Sequence, residues 1–433
     1  MIKNIREYKF EKNYWINFLF NIFPLIMLLS RGYITIYIIF FIICGYKFLF
    51  NNKIKVKLFL LDYLIFIFFI TSIISTIISY GNSDYIILGK SFAQIRFAFL
   101  FLLIRNLFHN KIIKINTLLI LSSFCTIFLS LDIFLQFIHG KNILGYPEIN
   151  GRYGGLFGEE AIAGSYIQKF SMLAILPFFY LNLTNKTNNN ILIILFALIL
   201  GSGILMTLDR MPFFIYIFSL SLLLLLLKNF RKIISLIILI IFLFFIIMYK
   251  NNERIYSRYL QIFKISEIIN YKINPVYNDK DTIYKKTIIK DEASKIGIEY
   301  FTLYNSAFYV LKNNLLIGSG TKSYLKECYE LRKDKQDLLC STHPHNIYLE
   351  IINNQGIIGF IIFSIFLFFL FKKYLLDLIK LRTNQNDRLL RIIFLTILVA
   401  ELFPLRSYGS IFQTGNGSIF WFTLAFISSD KYS

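Results

Sequence analysis

The chain has 433 residues, 56% of them hydrophobic, and a mean hydropathy of +0.61. Soluble domains average roughly 45–50% apolar residues and do not string them into repeated spans, so a soluble protein is excluded. The formal net charge of +21 invites a nucleic-acid reading, but the basic residues gather in short connections between apolar stretches. That pattern is topological, and no nucleic-acid partner is expected.

The basic start "MIKNIREYKFEKN" resembles a secretion signal, yet no small-residue cleavage site follows, and "LLSRGYITIY" turns directly into a second span. A retained helix is expected there. Stretches suited to crossing a bilayer, at about 20 residues each, fall near 14–30, 33–50, 58–80, 87–105, 115–138, 163–183, 190–208, 211–228, 233–249, 348–371, 389–404 and 416–429. The fold class is therefore an all-α polytopic membrane protein with about twelve transmembrane helices. With a cytoplasmic N-terminus, the inner connections "NNKIKVK", "RNLFHNKIIK", "KNFRK" and "KKYLLDLIKLRTNQNDR" and the termini hold roughly 20 Lys and Arg, against about 5 in the short outer ones.

Two outer connections stand out. The shorter, 139–164, reads "HGKNILGYPEINGRYGGLFGEEAIAG". The longer, 250–347, has mixed charge and no spanning segment, so the chain divides into helices over 1–249, one large helical outer loop over 250–347, and helices over 348–433. The loop begins Lys-rich and irregular, with "INPVYNDKD" as a turn region. From Glu299 the apolar positions 300, 301, 303, 304, 307, 308, 310 and 311 have helical spacing. Such a helix either lies along the membrane interface or packs on the loop's own small core. "GSG" (Gly318, Ser319, Gly320) is a tight turn without the pattern of a phosphate loop. Cys328 and Cys340 lie in this loop, whereas Cys44 and Cys125 lie inside spans. An outer compartment is oxidising, so Cys328 and Cys340 are expected to pair, a closure of about 3 kcal/mol in the entropic model. A zinc site built from both cysteines with His343 and His345 is the alternative, but that spacing is not a usual one; no metal and no cofactor are expected.

Polar groups at membrane depth are costly and mark candidate sites. "LMTLDRMPFF" places Arg210 at the outer end of one span, where it either serves a ligand or simply neutralises Asp209. Arg152, Glu159 and Glu160 stand at the mouth of the sixth span, and the two carboxylates also suit a solvated helix start. His343 and His345, two of only four histidines, flank Pro344 just before the span that starts near Ile347. They are either interfacial caps or a titrating pair, since only histidine titrates near neutral pH unperturbed. Guanidinium matches phosphate by a bidentate fork and imidazole can act as general base, a combination that suits a reaction on a lipid phosphate at the outer surface.

"HPHNIYLEIINNQGIIG" carries a resemblance. It is similar to the signature of the bacterial O-antigen ligase and O-antigen polymerase superfamily: a His, then Asn, Ser or Gln, nine residues, Gly, two residues and a small residue. His345, Asn346, Gly356 and Gly359 occupy those positions. "YNSAFYVLKNNLLIGSGTKSYL" resembles the family's helix followed by Gly-x-Gly, here Gly318 and Gly320, and "LDRMPFF" puts Arg210 in its arginine position. The similarity runs from about Gly151 to Trp421.

The resemblance implies a glycosyltransferase of the bacterial inner membrane with its site on the periplasmic face. It would move a glycan from undecaprenyl diphosphate to an acceptor hydroxyl, on lipid A core in a ligase or on another lipid-linked repeat unit in a polymerase. Arg210 would neutralise the departing diphosphate, His345 would take the acceptor proton, and Asn346 would orient the ring or a sugar hydroxyl. Where many relatives have a further loop arginine, this chain has Tyr300. The resemblance then leaves Arg152, Arg254, Arg258 or Arg406 for the second phosphate contact, or no second contact at all. A transporter or flippase of lipid-linked oligosaccharide is the alternative class, and an inactive scaffold a third. A transporter should hold ionisable groups near mid-membrane; the spans show few beyond Lys90, Arg96, Asp132 and Lys169.

Overall fold

The computed structural model describes residues 14–29, 31–80, 84–149, 151–184, 190–259, 298–335, 338–380, 385–407 and 409–429. The basic start, the "INPVYNDKD" region and the side chain of Tyr300 lie outside the described residues. Helices run over 14–21 (α1), Phe23–Ile26 (α2), Arg31–Asn51 (α3), Leu60–Tyr80 (α4), Tyr85–Ala93 (α5), Ile95–His109 (α6), Asn116–His139 (α7), Ala163–Thr184 (α8), Asn190–Met206 (α9), Arg210–Leu226 (α10) and Arg231–Asn251 (α11). After them come 253–259 (α12), Ile298–Asn313 (α13), Tyr324–Asp334 (α14), Ile347–Lys380 (α15), Gln385–Glu401 (α16) and Thr414–Ile427 (α17). Among the described residues the β features are two isolated bridges, Lys141–Pro147 and Ile149–Arg152.

Among the described residues, six helices are long and apolar enough to cross a membrane: Gly32–Asn51, Leu60–Tyr80, Tyr85–His109, Asn116–His139, Lys228–Asn251 and Ile347–Leu376. Asn190–Met206 and Arg210–Leu226 are shorter apolar helices. Other expected spans fold as shorter or charge-bearing helices, so the count of about twelve is not confirmed; α17 has 14 residues and α16 carries Asp387, Arg388, Arg391 and Glu401. α7 packs on α8, α4 on α15 and α6 on α17. The core is aromatic, with Phe23 stacked on Phe422 at 3.7 Å and Trp421 donating its indole N–H to the Ile411 carbonyl. A buried ion pair, Arg105–Asp62 at 2.7 Å, ties α6 to α4.

The described parts of connections 139–163, 207–209, 252–259, 298–346 and 402–413 gather on one side, here termed the loop face. Arg254 meets Glu148 there, Tyr153 N–H donates to Thr207, and Asn346 donates to Pro404. α13 takes the second of its two alternatives: Ala307 and Val310 pack with Tyr324, Cys328 and Leu338 in a small core of the loop's own. Cys328 and Cys340 are joined by a disulfide that closes this unit just before the histidines.

The feature that positions the histidine segment is a break in α15. Gly356 has φ 64° and ψ −165°, a conformation open to glycine, so the helix stops and restarts. A restart leaves backbone donors and acceptors without helical partners, and at membrane depth such groups are tolerated only where protein satisfies them. Segment 315–320 does so. Ile357 and Ile358 N–H donate to the carbonyls of Leu315 and Leu316 at 3.0 and 3.3 Å, while Ser319 and Gly320 N–H donate to those of Asn353 and Asn354 at 2.8 and 3.0 Å. Thr321 continues into α4, its hydroxyl 2.6 Å from that of Ser72 and its N–H donating to Thr76. The two strands of chain approach so closely that a Cβ on Gly356 would stand 2.2 Å from the Leu316 carbonyl oxygen, and one on Gly318 2.5 Å from Gln355 N. Gly359 sits against the Gln355 side chain.

Gly356→Ala is accordingly expected to destabilise the protein by at least about 3 kcal/mol, from a disallowed backbone plus a backbone clash. Thermal unfolding in detergent checks this, with Gly415→Ala as control, since a Cβ at Gly415 meets no atom within 4 Å. Equal midpoints for the two variants would show that the break is dispensable.

Candidate functional site

Two groups of polar side chains occupy the loop face. The first is built around Asp209. α9 ends in a turn at Thr207–Leu208, and Leu208 has φ +61°, which sets Asp209 at the head of α10 with Arg210 as its first residue. Segment 151–153 lies alongside, bridged by Tyr153 N–H to Thr207, and Arg152 pairs with Asp209 at 3.3 Å. α12, following α11, brings Arg258, whose Nε donates to the Gly151 carbonyl at 3.3 Å and whose own carbonyl accepts from Arg210 at 3.5 Å. Three guanidinium groups thus surround one carboxylate. Burial pushes the Asp209 carboxyl up to about 6, against the opposing pull of Arg152, Arg258 and Arg210. Burial, then the like charges of Arg152 and Arg210, lower the pKa of Arg258. An excess of cations brought together in a half-buried place has the chemistry to hold an anion. Arg254 stands one helical turn before Arg258, exposed, bonded to Glu148 at 2.7 Å and to the Tyr153 hydroxyl.

The second group is the histidine segment. The rings of His343 and His345 lie 4.2 Å apart between centroids. Pro344 is buried between them, and His345 has φ +57°, a left-handed backbone that histidine enters more readily than most residues. Thr342 Oγ1 lies 3.0 Å from His343 Nδ1. Burial lowers the pKa of His345, so at neutral pH its imidazole is neutral and able to accept a proton. Asn346 is the helix cap: its side-chain oxygen accepts from Tyr348 and Leu349 N–H at 3.0 and 3.2 Å, and its amide donates to the Pro404 carbonyl at 2.7 Å. Both ends of that amide hold chain rather than ligand, which makes Asn346 a positioning residue for His345. A small space of about 10 Å³ opens beside His343, bounded by Lys322, Glu350 and Phe412. That is room for one water.

Arg406 departs from expectation. It is buried, and its guanidinium donates to the Ala400 carbonyl, to Glu401 at 3.0 Å and to Gln168 at 2.7 Å, so it cross-links α16 to α8. Glu159 and Glu160 are exposed and line a separate cavity. Glu350 was not anticipated; it is 4% exposed and accepts Ile411 N–H at 3.0 Å. Its signal in the sequence is a carboxylate five residues after His345 inside an apolar span.

The Asp209 carboxyl makes the anion site pH-dependent. As the pH falls through about 6, Asp209 gains a proton and one opposing charge disappears from among the arginines. Affinity for a diphosphate probe is expected to rise by about fivefold or more between pH 7 and pH 5, relative to Asp209→Asn, which should lack this component. A titration giving the same pH dependence for both proteins would remove Asp209 from the site. The same raised pKa gives a stability contribution present below the ordinary value of 3.8 and lost as the pH rises through about 6.

No curated protein matches the chain. Residues 194–364 match the family model described as O-antigen ligase. The match begins in α9 and holds Arg210, Arg254, Arg258, the disulfide, both loop histidines and the break at Gly356. Over these residues the chain is similar to an O-antigen ligase domain, which is consistent with the O-antigen ligase and polymerase superfamily.

Proposed function

We propose that the protein is an inner-membrane glycosyltransferase that moves a glycan from undecaprenyl diphosphate to an acceptor hydroxyl. In this reading 1–249 and 348–433 form the membrane body, and 250–347 is a periplasmic loop. The observation that carries it is the set Arg152, Arg210 and Arg258 around one carboxylate. The set supplies the second and third phosphate contacts despite Tyr300. The acceptor oxygen attacks the anomeric carbon of the first sugar, and the bond from that carbon to the diphosphate oxygen breaks. The arginines hold the charge that develops on undecaprenyl diphosphate, which leaves with the bonding electron pair. The acceptor's proton passes to His345, neutral before the step. Asn346 and the α15 break hold His345 at the membrane surface, at the level of the reacting carbon.

The test gives purified protein an undecaprenyl-diphosphate-linked repeat unit, with and without lipid A core, with EDTA present because the reading is metal-independent. Longer lipid-linked chains make it a polymerase, and glycan on the core makes it a ligase. Intact donor in both arms, with sound substrates, would overturn the assignment in favour of transport.

A further inference from the structure

A cavity of about 700 Å³ is lined by none of the arginines or histidines above. It opens at the loop face between the α2–α3 connection, loop 156–162, the start of α8 and the first turn of α17. Its volume is that of a ligand pocket, and its lining is of two kinds. The apolar part is Met27, Leu28, Leu29 and Ile34. Leu25, Leu29, Tyr33 and Ile36 on the same elements are exposed, so apolar surface continues from the cavity to the outside of the helix body. The polar part of the lining is Glu159, Glu160, Gln413, Asn416 and Lys169. Lys169 is 7% exposed and donates to Asn416 Oδ1 at 3.0 Å. Two carboxylates against one ammonium give no net attraction for a phosphate. Carboxylates and amides together accept from and donate to hydroxyl groups, which is what a sugar ring offers.

We propose that this cavity is a second substrate seat, taking a hydroxyl-rich glycan head on its polar lining and letting the attached lipid chain leave past Met27–Leu29 into the bilayer. The inference rests on the transfer reaction proposed above, in which the cavity holds the sugar end of the acceptor and the arginine set holds the donor diphosphate.

Gly415 lines the cavity, and a Cβ there meets nothing within 4 Å. Gly415→Phe therefore puts a ring into the space from a helical position where glycine is the poorer helix former. Native mass spectrometry would compare retention of a diacylglycerol glucoside with that of phosphatidylglycerol. The wild type is expected to prefer the glucoside, and Gly415→Phe to lower that retention by about tenfold with phosphatidylglycerol unchanged. The double replacement Glu159→Gln and Glu160→Gln, at two exposed positions, is expected to weaken glucoside retention without filling the space. Equal retention of both lipids, or retention indifferent to the variants, would reduce the cavity to a place for ordinary bilayer lipid and overturn the proposal. In the transfer assay Gly415→Phe should raise KM for the acceptor and leave KM for the donor alone; the reverse would assign the donor here and overturn it too. If the protein transfers nothing, the lipid-retention arm still decides the seat.

Discussion

His345→Asn is expected to lower glycan transfer by about 10²–10⁴-fold, the range for loss of a positioned general base, with donor binding intact. Asparagine is the informative replacement. His345 has φ +57°, and asparagine tolerates that backbone while alanine is strained in it. His345→Ala removes imidazole and local conformation together, whereas His345→Asn removes the imidazole alone. The pH profile adds a second readout. Burial lowers the pKa of His345 below the ordinary 6.5, so the wild-type rate should rise with pH along a limb lying below 6.5 and then level off. In His345→Asn that limb should be gone from the residual rate. Retention of more than a tenth of wild-type activity in a folded His345→Asn protein would end the assignment of a base there.

Arg210→Ala is expected to cost about 10²–10³-fold in kcat, the effect of losing one donor to a charge that grows in the transition state. Arg210→Lys should recover little, because an ammonium lacks the planar fork. Arg258→Ala is expected to lose less, since the Arg258 Nε is already engaged by the Gly151 carbonyl. The split between parameters discriminates: a residue that only captures the donor raises KM, whereas one that meets the departing diphosphate lowers kcat. A rise in KM for Arg210→Ala at unchanged kcat would demote it to a docking contact.

Much of the architecture is legible in the chain because a bilayer demands long apolar runs, and those are visible one residue at a time. The number of full-length spans is less legible: α9, α10, α16 and α17 fall below the usual length or carry charge, and whether such a helix reaches through is decided by its neighbours. The pairing of α13 with α14 in a small core was one of two readings, because a single apolar face does not say what covers it. His345, Asn346, Gly356 and Gly359 could be picked out as a spacing, but nothing in that spacing tells that Gly318 and Gly356 meet each other. The arginines show the same limit. Arg152 and Arg258 reach Asp209 from segments 106 residues apart in sequence, and Arg406, equally prominent to the eye, is turned inward toward Glu401 and Gln168. A charge in a sequence announces a cost; which partner meets it is a tertiary fact.

The threading of 315–321 against α4 and α15 sets a schedule for biogenesis. Ser72 and Thr321 are 249 positions apart, so at about 5–20 residues per second of synthesis their hydroxyls stay apart for on the order of 10–50 s. During that interval α4 has to sit in lipid with polar groups on its inward face. It can do so because the groups are served locally: the Thr76 hydroxyl donates to the Ser72 carbonyl one turn earlier at 2.8 Å, a bond that needs no other part of the chain. The N-terminal half can therefore wait as inserted helices, and the polar seam closes only when segment 315–321 arrives. An unfinished chain that stops short of Thr321 would be a membrane protein by every test of insertion and would have no seam to close.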